Sequence, residues 1–156
     1  MSLSSSHTAS AASSRPPSSQ CLFQSDPDEL SPVAIYRHIN EGIALANVQA
    51  LLQDSTLQSL QIMSELLSVP IRTLHTQSGD KSSRNLTPGQ SATIYQYAKL
   101  LELAATIFGS RPSAEQWLCR PCRHLEHTVP MTMIDNAIGV QAVADYLERV
   151  RNGVYQ

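Results

Sequence analysis

The feature that most constrains the fold is a long predicted helix over residues 87–108. It begins with Thr87-Pro88-Gly89-Gln90, in which Thr suits the N-cap, Pro the first helical position and Gln a capping box. Apolar side chains then recur every three or four residues until Gly109, which predicts the end of the helix. They are Ile94, Tyr97, Ala98, Leu100, Leu101, Ala104, Ala105 and Phe108. A face this wide predicts a central helix that is covered on more than one side.

Composition favours helices packed against helices. Aromatic residues are only 5% of the 156 residues, so aliphatic side chains must fill the core, whereas sheets favour β-branched and aromatic residues. Nine of the first twenty residues are Ser, a composition that cannot bury enough apolar surface to become ordered. We therefore predict an all-α chain in three parts. They are a disordered Ser-rich tail (1–25), a helix-turn-helix-like helical region (26–86) and, joined to it by the long helix, a small C-terminal helical domain (87–156).

Four shorter helices are predicted ahead of the long one, over residues 32–40, 45–53, 56–67 and 70–77. Val33, Tyr36, Ile39 and Ile43 lie three or four residues apart, which predicts an inward face for the first segment. The last two helices are separated only by Ser68-Val69-Pro70. Two short helices joined by so tight a turn are typical of a helix-turn-helix.

A small group of polar and basic residues follows that turn. It comprises Arg72, Thr73, His75, Lys81 and Arg84, opposed in this stretch only by Asp80. A recognition helix uses such side chains for contacts to phosphates and base edges, so we predict that these residues bind DNA. The net charge of −2 favours the alternative, in which two packed helices merely expose solvated polar faces.

The C-terminal part carries a Cys119-x-x-Cys122 motif followed by His124 and His127. Zinc takes four ligands of these types, but here all four lie within nine residues instead of on two separated elements. A redox pair needs a strand-to-helix context, and the flanking sequence suggests a helix on one side and a loop on the other. We favour two reduced thiols beside a packed Trp117, with a thiol or metal module as an alternative.

Other chemical motifs are missing from the sequence. It has no GxSxG motif and, with only six Gly, no phosphate-binding glycine loop. We predict no enzyme activity, no catalytic residue, no cofactor and no metal. The sequence also has no signal peptide and no apolar run long enough to span a bilayer, so we predict a cytoplasmic chain with no membrane partner.

Three helical segments are predicted after Gly109. Ser113-Ala114-Glu115-Gln116 suits a capping box that opens a short helix. A turn of helix follows Pro130, and Gly139 opens the last helix. The predicted core side chains of this part are Trp117, Leu118, Val143 and Leu147.

Several residues of this part follow a family pattern. They are Phe108-Gly109, Trp117-Leu118, Leu125, Pro130 with Met133-Ile134, Gly139 with Val143, and Gly153-Val154. In this order they resemble the toxin-binding domain of Xre/MbcA/ParS-type antitoxins, the partners of RES-domain toxins. The family pattern has paired glycines after the Leu. Glu126 and His127 stand there in this chain, so we expect a different loop conformation.

The resemblance implies a helical antitoxin that dimerises, covers the active-site cleft of its toxin and often represses its own operon. RES toxins are implied to consume NAD, whereas the antitoxin binds none. We therefore predict a type II antitoxin whose partners are a cognate RES-domain toxin, a second copy of itself and operator DNA. The predicted toxin-binding residues are Arg149, Arg151, Asn152, Gly153, Val154 and Tyr155. The alternative function is a stand-alone helix-turn-helix DNA-binding transcriptional regulator.

Overall fold

The computed structural model describes residues 17–26, 28–75 and 84–153. These residues form α1 (Ser18–Phe23), α2 (Pro32–Glu41), α3 (Leu45–Leu52), α4 (Leu57–Leu67), α5 (Ile71–His75), α6 (Pro88–Phe108), α7 (Arg111–Leu118) and α8 (Ala137–Arg151). Two short 3₁₀ helices, Arg123–Leu125 and Pro130–Asp135, lie between α7 and α8. The described residues contain no β-strand, only isolated bridges between Ala44 and Asn85 and between Cys122 and Thr128. The prediction of an all-α fold is confirmed.

Helix α6 lies at the centre of the molecule, as the sequence predicts. The Thr87 hydroxyl accepts from the Gln90 backbone N–H at 3.2 Å, and the Gln90 side chain accepts from the Thr87 N–H at 3.0 Å. Gly109 ends the helix with a φ of 86°, in the left-handed region that favours glycine. Helix α6 packs against α1, α2, α4, α7 and α8. Its buried residues include Ile94, Tyr97, Ala98, Leu100, Leu101 and Ala104.

Helix α1 corrects the prediction that residues 1–25 form a disordered tail. Within the described part of that tail, Leu22 is only 2% exposed and belongs to the core. The Ser19 backbone N–H and hydroxyl both donate to Oε1 of Glu102 on α6, at 2.6 and 2.5 Å. The end of the Ser-rich stretch therefore has enough apolar surface and enough polar partners to pack on α3 and α6. Residues 1–16 lie outside the described part of the chain.

Helix α2 corrects a second prediction. It begins after Ser31, whose hydroxyl accepts from the Ala34 N–H, and ends at Gly42, but it has no buried residue. Val33 is 58% exposed and Tyr36 is 66% exposed, although their spacing predicts an inward face. The physical reason is that α1 packs on α3 and α6 and covers surface there. Helix α2 therefore packs on α6 with one side only, and its other sides face solvent. Ile43, beyond the helix, is buried as predicted.

Helices α4 and α5 are the pair that we predict to form a helix-turn-helix. Thr56 caps α4 through its hydroxyl, and Ser68 ends it with a φ of 52°. Helix α5 packs against α3 and α4 through buried Leu74. Its predicted continuation to residue 77 and the basic loop after it lie partly outside the described residues. The helix-turn-helix assignment stays a prediction, as does the division of the chain into domains.

Two helix starts in the C-terminal part differ from their predicted positions. Helix α7 begins at Arg111 and is capped by Ser110, three residues before Ser113, the predicted N-cap. Helix α8 is capped by Asn136, whose side chain accepts from the Gly139 N–H at 3.0 Å. Gly139 is thus inside the first turn of α8 and does not open it. No helix among the described residues is long and apolar enough to cross a membrane.

Candidate functional site

The C-terminal unit is built from α7, the two 3₁₀ helices and α8, all packed on or beside α6. Met131, Val143 and Leu147 are fully buried where the second 3₁₀ helix and α8 meet α6. Gly139 makes the closest backbone approach, because an added Cβ would lie 1.9 Å from the carbonyl oxygen of Met133. This glycine therefore sets how closely α8 lies against the second 3₁₀ helix.

Four rings form a row along the outside of this unit, which we call the aromatic row: Phe108, Trp117, Tyr146 and His124. Phe108 and Trp117 have ring centroids 5.5 Å apart, Trp117 and Tyr146 are stacked at 5.8 Å, and His124 and Tyr146 are stacked at 5.5 Å. Trp117 is half-buried and packs against the buried core, so the prediction that it is a core residue is confirmed in part, and Leu118, Val143 and Leu147 are buried as predicted. Partly exposed aromatic side chains are typical of protein interfaces.

The loop of residues 122–128 holds the His124 end of the aromatic row. Cys122 N–H donates to the Thr128 carbonyl at 3.0 Å, and the Cys122 carbonyl accepts from the N–H groups of Leu125 and His127 at 3.0 and 2.9 Å. Glu126 and His127 have φ values of 55° and 61°. The two residues that replace the paired glycines of the family pattern thus both take the backbone region that favours glycine.

The predicted toxin-binding residues lie at the end of α8. Arg149, Arg151, Asn152 and Gly153 are all exposed. Arg151 forms an ion pair of 2.7 Å with Glu148, and the Gly153 N–H donates to the Val150 carbonyl at 3.1 Å with a φ of 69° at Gly153. Val154 and Tyr155 lie outside the described residues. The described members form one continuous exposed stretch at the C-terminal end of α8.

The predicted DNA-binding residues lie on α5 and before α6, at a different part of the chain. Arg72 and His75 are exposed on α5, and Arg84 is exposed after the undescribed residues 76–83. Thr73 is half-buried, and its carbonyl accepts from the Gln49 side chain at 2.6 Å. Lys81 lies outside the described residues. The two side chains of α5 are thus exposed, and their binding to DNA stays a prediction.

The cysteines of the C-terminal unit are packed inside it. Cys119 is 2% exposed and Cys122 is 8% exposed, and both are free thiols. Burial, followed by the nearby charge of Glu115, raises the pKa of the Cys119 thiol to about 11. A reactive cysteine has a lowered pKa instead. Among the described residues, no group of three or more His, Cys, Asp or Glu is placed to hold a metal ion.

Cys119 is expected to be the slowest of the three thiols to react with iodoacetamide at pH 8. The thiolate is the nucleophile, and a pKa of about 11 leaves very little of it at that pH. As the pH rises towards 11, the thiolate fraction grows and the difference from half-buried Cys21 should narrow. Peptide mass spectrometry of the alkylated native chain measures this, and the denatured chain, in which all three react alike, is the control. Modification of native Cys119 as fast as Cys21 would contradict the buried, protonated thiol.

Polar contacts also connect the C-terminal unit to the N-terminal helices. The backbone N–H of Thr56, the N-cap of α4, donates to Oε1 of Glu115 at 3.0 Å, and Glu115 is only 2% exposed. The Arg111 guanidinium donates to the Leu51 carbonyl at the end of α3, and the Gln58 side chain donates to the Cys119 carbonyl at 3.0 Å. These contacts could not be predicted from the sequence, because Glu, Arg and Gln on short helices usually face solvent.

The fold and this surface define an all-α protein with a helical C-terminal domain that presents aromatic and cationic side chains. Residues 103–153 match the family described as the Antitoxin Xre/MbcA/ParS C-terminal toxin-binding domain. The chain is 26% identical over 117 residues to an Antitoxin Xre of Photorhabdus laumondii subsp. laumondii, which covers 74% of this chain and 77% of that protein. It is 27% identical over 70 residues to an Antitoxin Xre of Yersinia enterocolitica, which covers 44% of this chain and 47% of that protein. By these matches the chain is similar to Xre/MbcA/ParS-type antitoxins, and the likeness is strongest over its C-terminal part.

Proposed function

We propose that this chain is an antitoxin that binds and inhibits a RES-type, NAD-consuming toxin, as part of a type II toxin–antitoxin pair in the cytoplasm. The observation that carries the proposal is the match of residues 103–153 to the toxin-binding domain family. The resemblance of residues 108–154 to the partners of RES-domain toxins supplies the class of toxin. In this proposal the antitoxin acts as a homodimer, has no catalytic role and needs no cofactor.

The charge distribution supports an interface between proteins. The C-terminal part from residue 87 holds six basic and six acidic side chains, so no single sign dominates. Protein interfaces combine an apolar or aromatic centre with a mixed polar rim. The partly exposed rings of the aromatic row and the exposed end of α8 provide both kinds of surface within the matched residues.

Co-expression tests the proposal. The protein encoded by the reading frame adjacent to this one is expressed alone and with the full-length chain, while growth and cellular NAD are measured. Expression of that protein alone should arrest growth and deplete NAD, and the full-length chain should restore both and co-purify with its partner. Growth arrest without NAD depletion would refute the RES class, and failure to restore growth would refute inhibition.

Deletion of residues 153–156 is expected to weaken toxin binding about tenfold, because the exposed C-terminal end of α8 is proposed to enter the toxin's cleft. Gly153 itself is exposed, so its loss should leave the core unchanged. Calorimetric titration of the deletion variant against the adjacent gene product, with full-length chain as reference, gives the ratio of Kd values. Equal Kd values for the two chains would remove this segment from the toxin interface.

Autorepression of the operon is a second proposed activity, supported by the outward Arg72 and His75 of α5. It requires binding to the DNA upstream of the gene, with an affinity that falls steeply as salt rises. A stand-alone DNA-binding regulator would show this salt-dependent binding but would not retain the adjacent gene product. An antitoxin that represses its operon should show both, and Arg72→Ala should weaken only the binding to DNA.

A further inference from the structure

The aromatic row concentrates ring side chains at one surface of a chain that has few of them. The sequence holds only eight Phe, Trp and Tyr residues, and three of these, with His124, form the row. Phe108, Trp117 and Tyr146 are half-buried, and His124 is exposed. A core would enclose such rings fully, whereas these rings pack against one another and leave part of their area in solvent, which a partner can cover at little entropic cost.

A shallow groove of about 380 Å³ lies at one end of the aromatic row. It is lined by Phe108, Ser113, Gln116, Trp117 and Arg120. Arg120 is the only charged residue in this lining, and it is exposed. At the other end of the row, Arg123 is exposed beside His124. The lining of the groove therefore holds one guanidinium group and no carboxyl group to neutralise it.

We propose that the aromatic row and Arg120 form the anchor on which the toxin docks, in addition to the C-terminal end of α8. The proposal rests on the proposed function. The occupant is a segment of the toxin that places an apolar side chain on the rings and an acidic side chain beside Arg120. Trp, Tyr and Arg are the residues that carry most of the binding energy at protein interfaces.

The position of the row within the chain argues for the toxin as its occupant. All four rings and Arg120 lie within residues 103–153, the part that matches the toxin-binding domain family. The row is also held firmly, since Trp117 is on α7, Tyr146 on α8, and His124 in the loop closed by the Cys122–Thr128 bridge. A preformed anchor loses little conformational freedom when it binds.

The test is calorimetric titration of full-length chains with an inactive variant of the protein encoded by the adjacent reading frame. Arg120→Glu should raise Kd tenfold or more, because it opposes the acidic side chain of the partner. Arg37→Glu is the matched control, since Arg37 is equally an exposed arginine but lies on α2, outside the matched domain. Its Kd should stay within about twofold of the wild-type value, and both variants should unfold at the wild-type temperature.

A second measurement uses the single tryptophan. Trp117 is the only Trp in the chain, so labelling with 5-fluorotryptophan gives one ¹⁹F signal that reports on the aromatic row. Addition of the unlabelled partner should shift or broaden this signal in proportion to complex formation. Arg120→Glu with an unchanged Kd, or a ¹⁹F signal that does not respond in the complex, would overturn the inference.

The remaining outcomes separate the inference from the proposed function. If wild-type chain binds the partner but Arg120→Glu and Arg37→Glu bind equally well, only the inference fails. If Arg120→Glu changes the size of the free chain by light scattering and leaves toxin binding intact, the row joins two copies of the chain and the inference fails. If wild-type chain does not bind at all, the proposed function fails, and the inference fails with it.

Discussion

Gly139→Ala is expected to destabilise the protein by at least about 2 kcal/mol, although the same change in most helices is stabilising. Alanine has the higher helix propensity by about 1 kcal/mol, which alone would raise stability. At this position, however, the new Cβ would lie 1.9 Å from the Met133 carbonyl oxygen and 2.8 Å from its carbonyl carbon. Both atoms belong to the backbone, so α8 or the preceding 3₁₀ helix must move as a unit.

Gly89→Ala is the matched control for this prediction. Gly89 also lies in the first turn of a helix, α6, but a Cβ there would meet no atom within 4 Å. Its stability should rise by up to about 1 kcal/mol from helix propensity. In thermal unfolding, Gly139→Ala should lower Tm by about 4 °C or more and Gly89→Ala should leave it equal or higher. Changes of the same sign in both variants would show that the contact with Met133 does not constrain the domain.

The Gly139→Ala substitution should also weaken the proposed neutralisation of the toxin. The displaced α8 carries Tyr146 of the aromatic row and the exposed C-terminal end proposed to bind the toxin. A change confined to Gly139 is therefore expected to weaken neutralisation in co-expression, whereas Gly89→Ala should protect cells as well as the wild-type chain does.

The central helix was predictable because its signals are local. A capping box at Thr87, apolar residues at helical spacing and Gly109 lie within one segment, and each depends only on neighbours in sequence. The same holds for the start of α2 at Ser31 and the end of α4 at Ser68. Local rules place these boundaries without any knowledge of tertiary packing.

The exposed face of α2 and the packing of α1 could not be predicted from local patterns. An amphipathic pattern indicates that a helix has an apolar face. It does not indicate whether another element already covers the surface against which that face would pack. Here Leu22 of α1 fills the core, and Val33 and Tyr36 of α2 remain exposed. Composition alone also fails to predict α1, because the average over the Ser-rich tail hides the short apolar segment at the end of that tail.

The C-terminal site was predictable in outline only. The family pattern includes Trp117 and Gly139, and the sequence predicts a core position for Trp117 and a helix start at Gly139. In the structure Trp117 is half-buried and Gly139 lies inside the first turn of α8. The environment of Trp117 depends on Tyr146, which is distant in sequence. That of Gly139 depends on the backbone of Met133, a contact that no general rule for glycine predicts. The positive φ values of Glu126 and His127 are likewise imposed by the hydrogen-bonded loop against the preference of both residues.

Glu115→Ala is expected to produce the other large effect, a loss of about 2–3 kcal/mol in the free energy of unfolding. Glu115 is 2% exposed, and its carboxyl group accepts from the Thr56 N–H, which has no partner within α4. Removing the carboxyl group takes from this partly buried donor its partner in the protein and leaves a cavity at the buried Glu115 position. It also removes a charge that, after burial as the larger cause, contributes to the raised pKa values of both Tyr97 and Cys119.

Two further variants separate the charge from the hydrogen bond. Glu115→Gln keeps an oxygen that can accept from Thr56 but has no charge. Its free energy of unfolding should therefore lie between those of the wild type and Glu115→Ala. Glu65→Ala is the control, because Glu65 is an exposed glutamate on α4, the helix whose start Glu115 caps. Its removal should change stability by less than about 0.5 kcal/mol. Denaturant unfolding should therefore rank the chains as wild type and Glu65→Ala, then Glu115→Gln, then Glu115→Ala.

The form of the unfolding transition tests what Glu115 does in the fold. Because Glu115 joins α7 to the start of α4, its loss should weaken the coupling between the C-terminal unit and the N-terminal helices. The fluorescence of Trp117 follows the C-terminal unit, and circular dichroism follows all helices. In the wild-type chain the two signals should change together. In Glu115→Ala they should separate, and coincident curves with an unchanged midpoint would show that the two parts are held together without this contact.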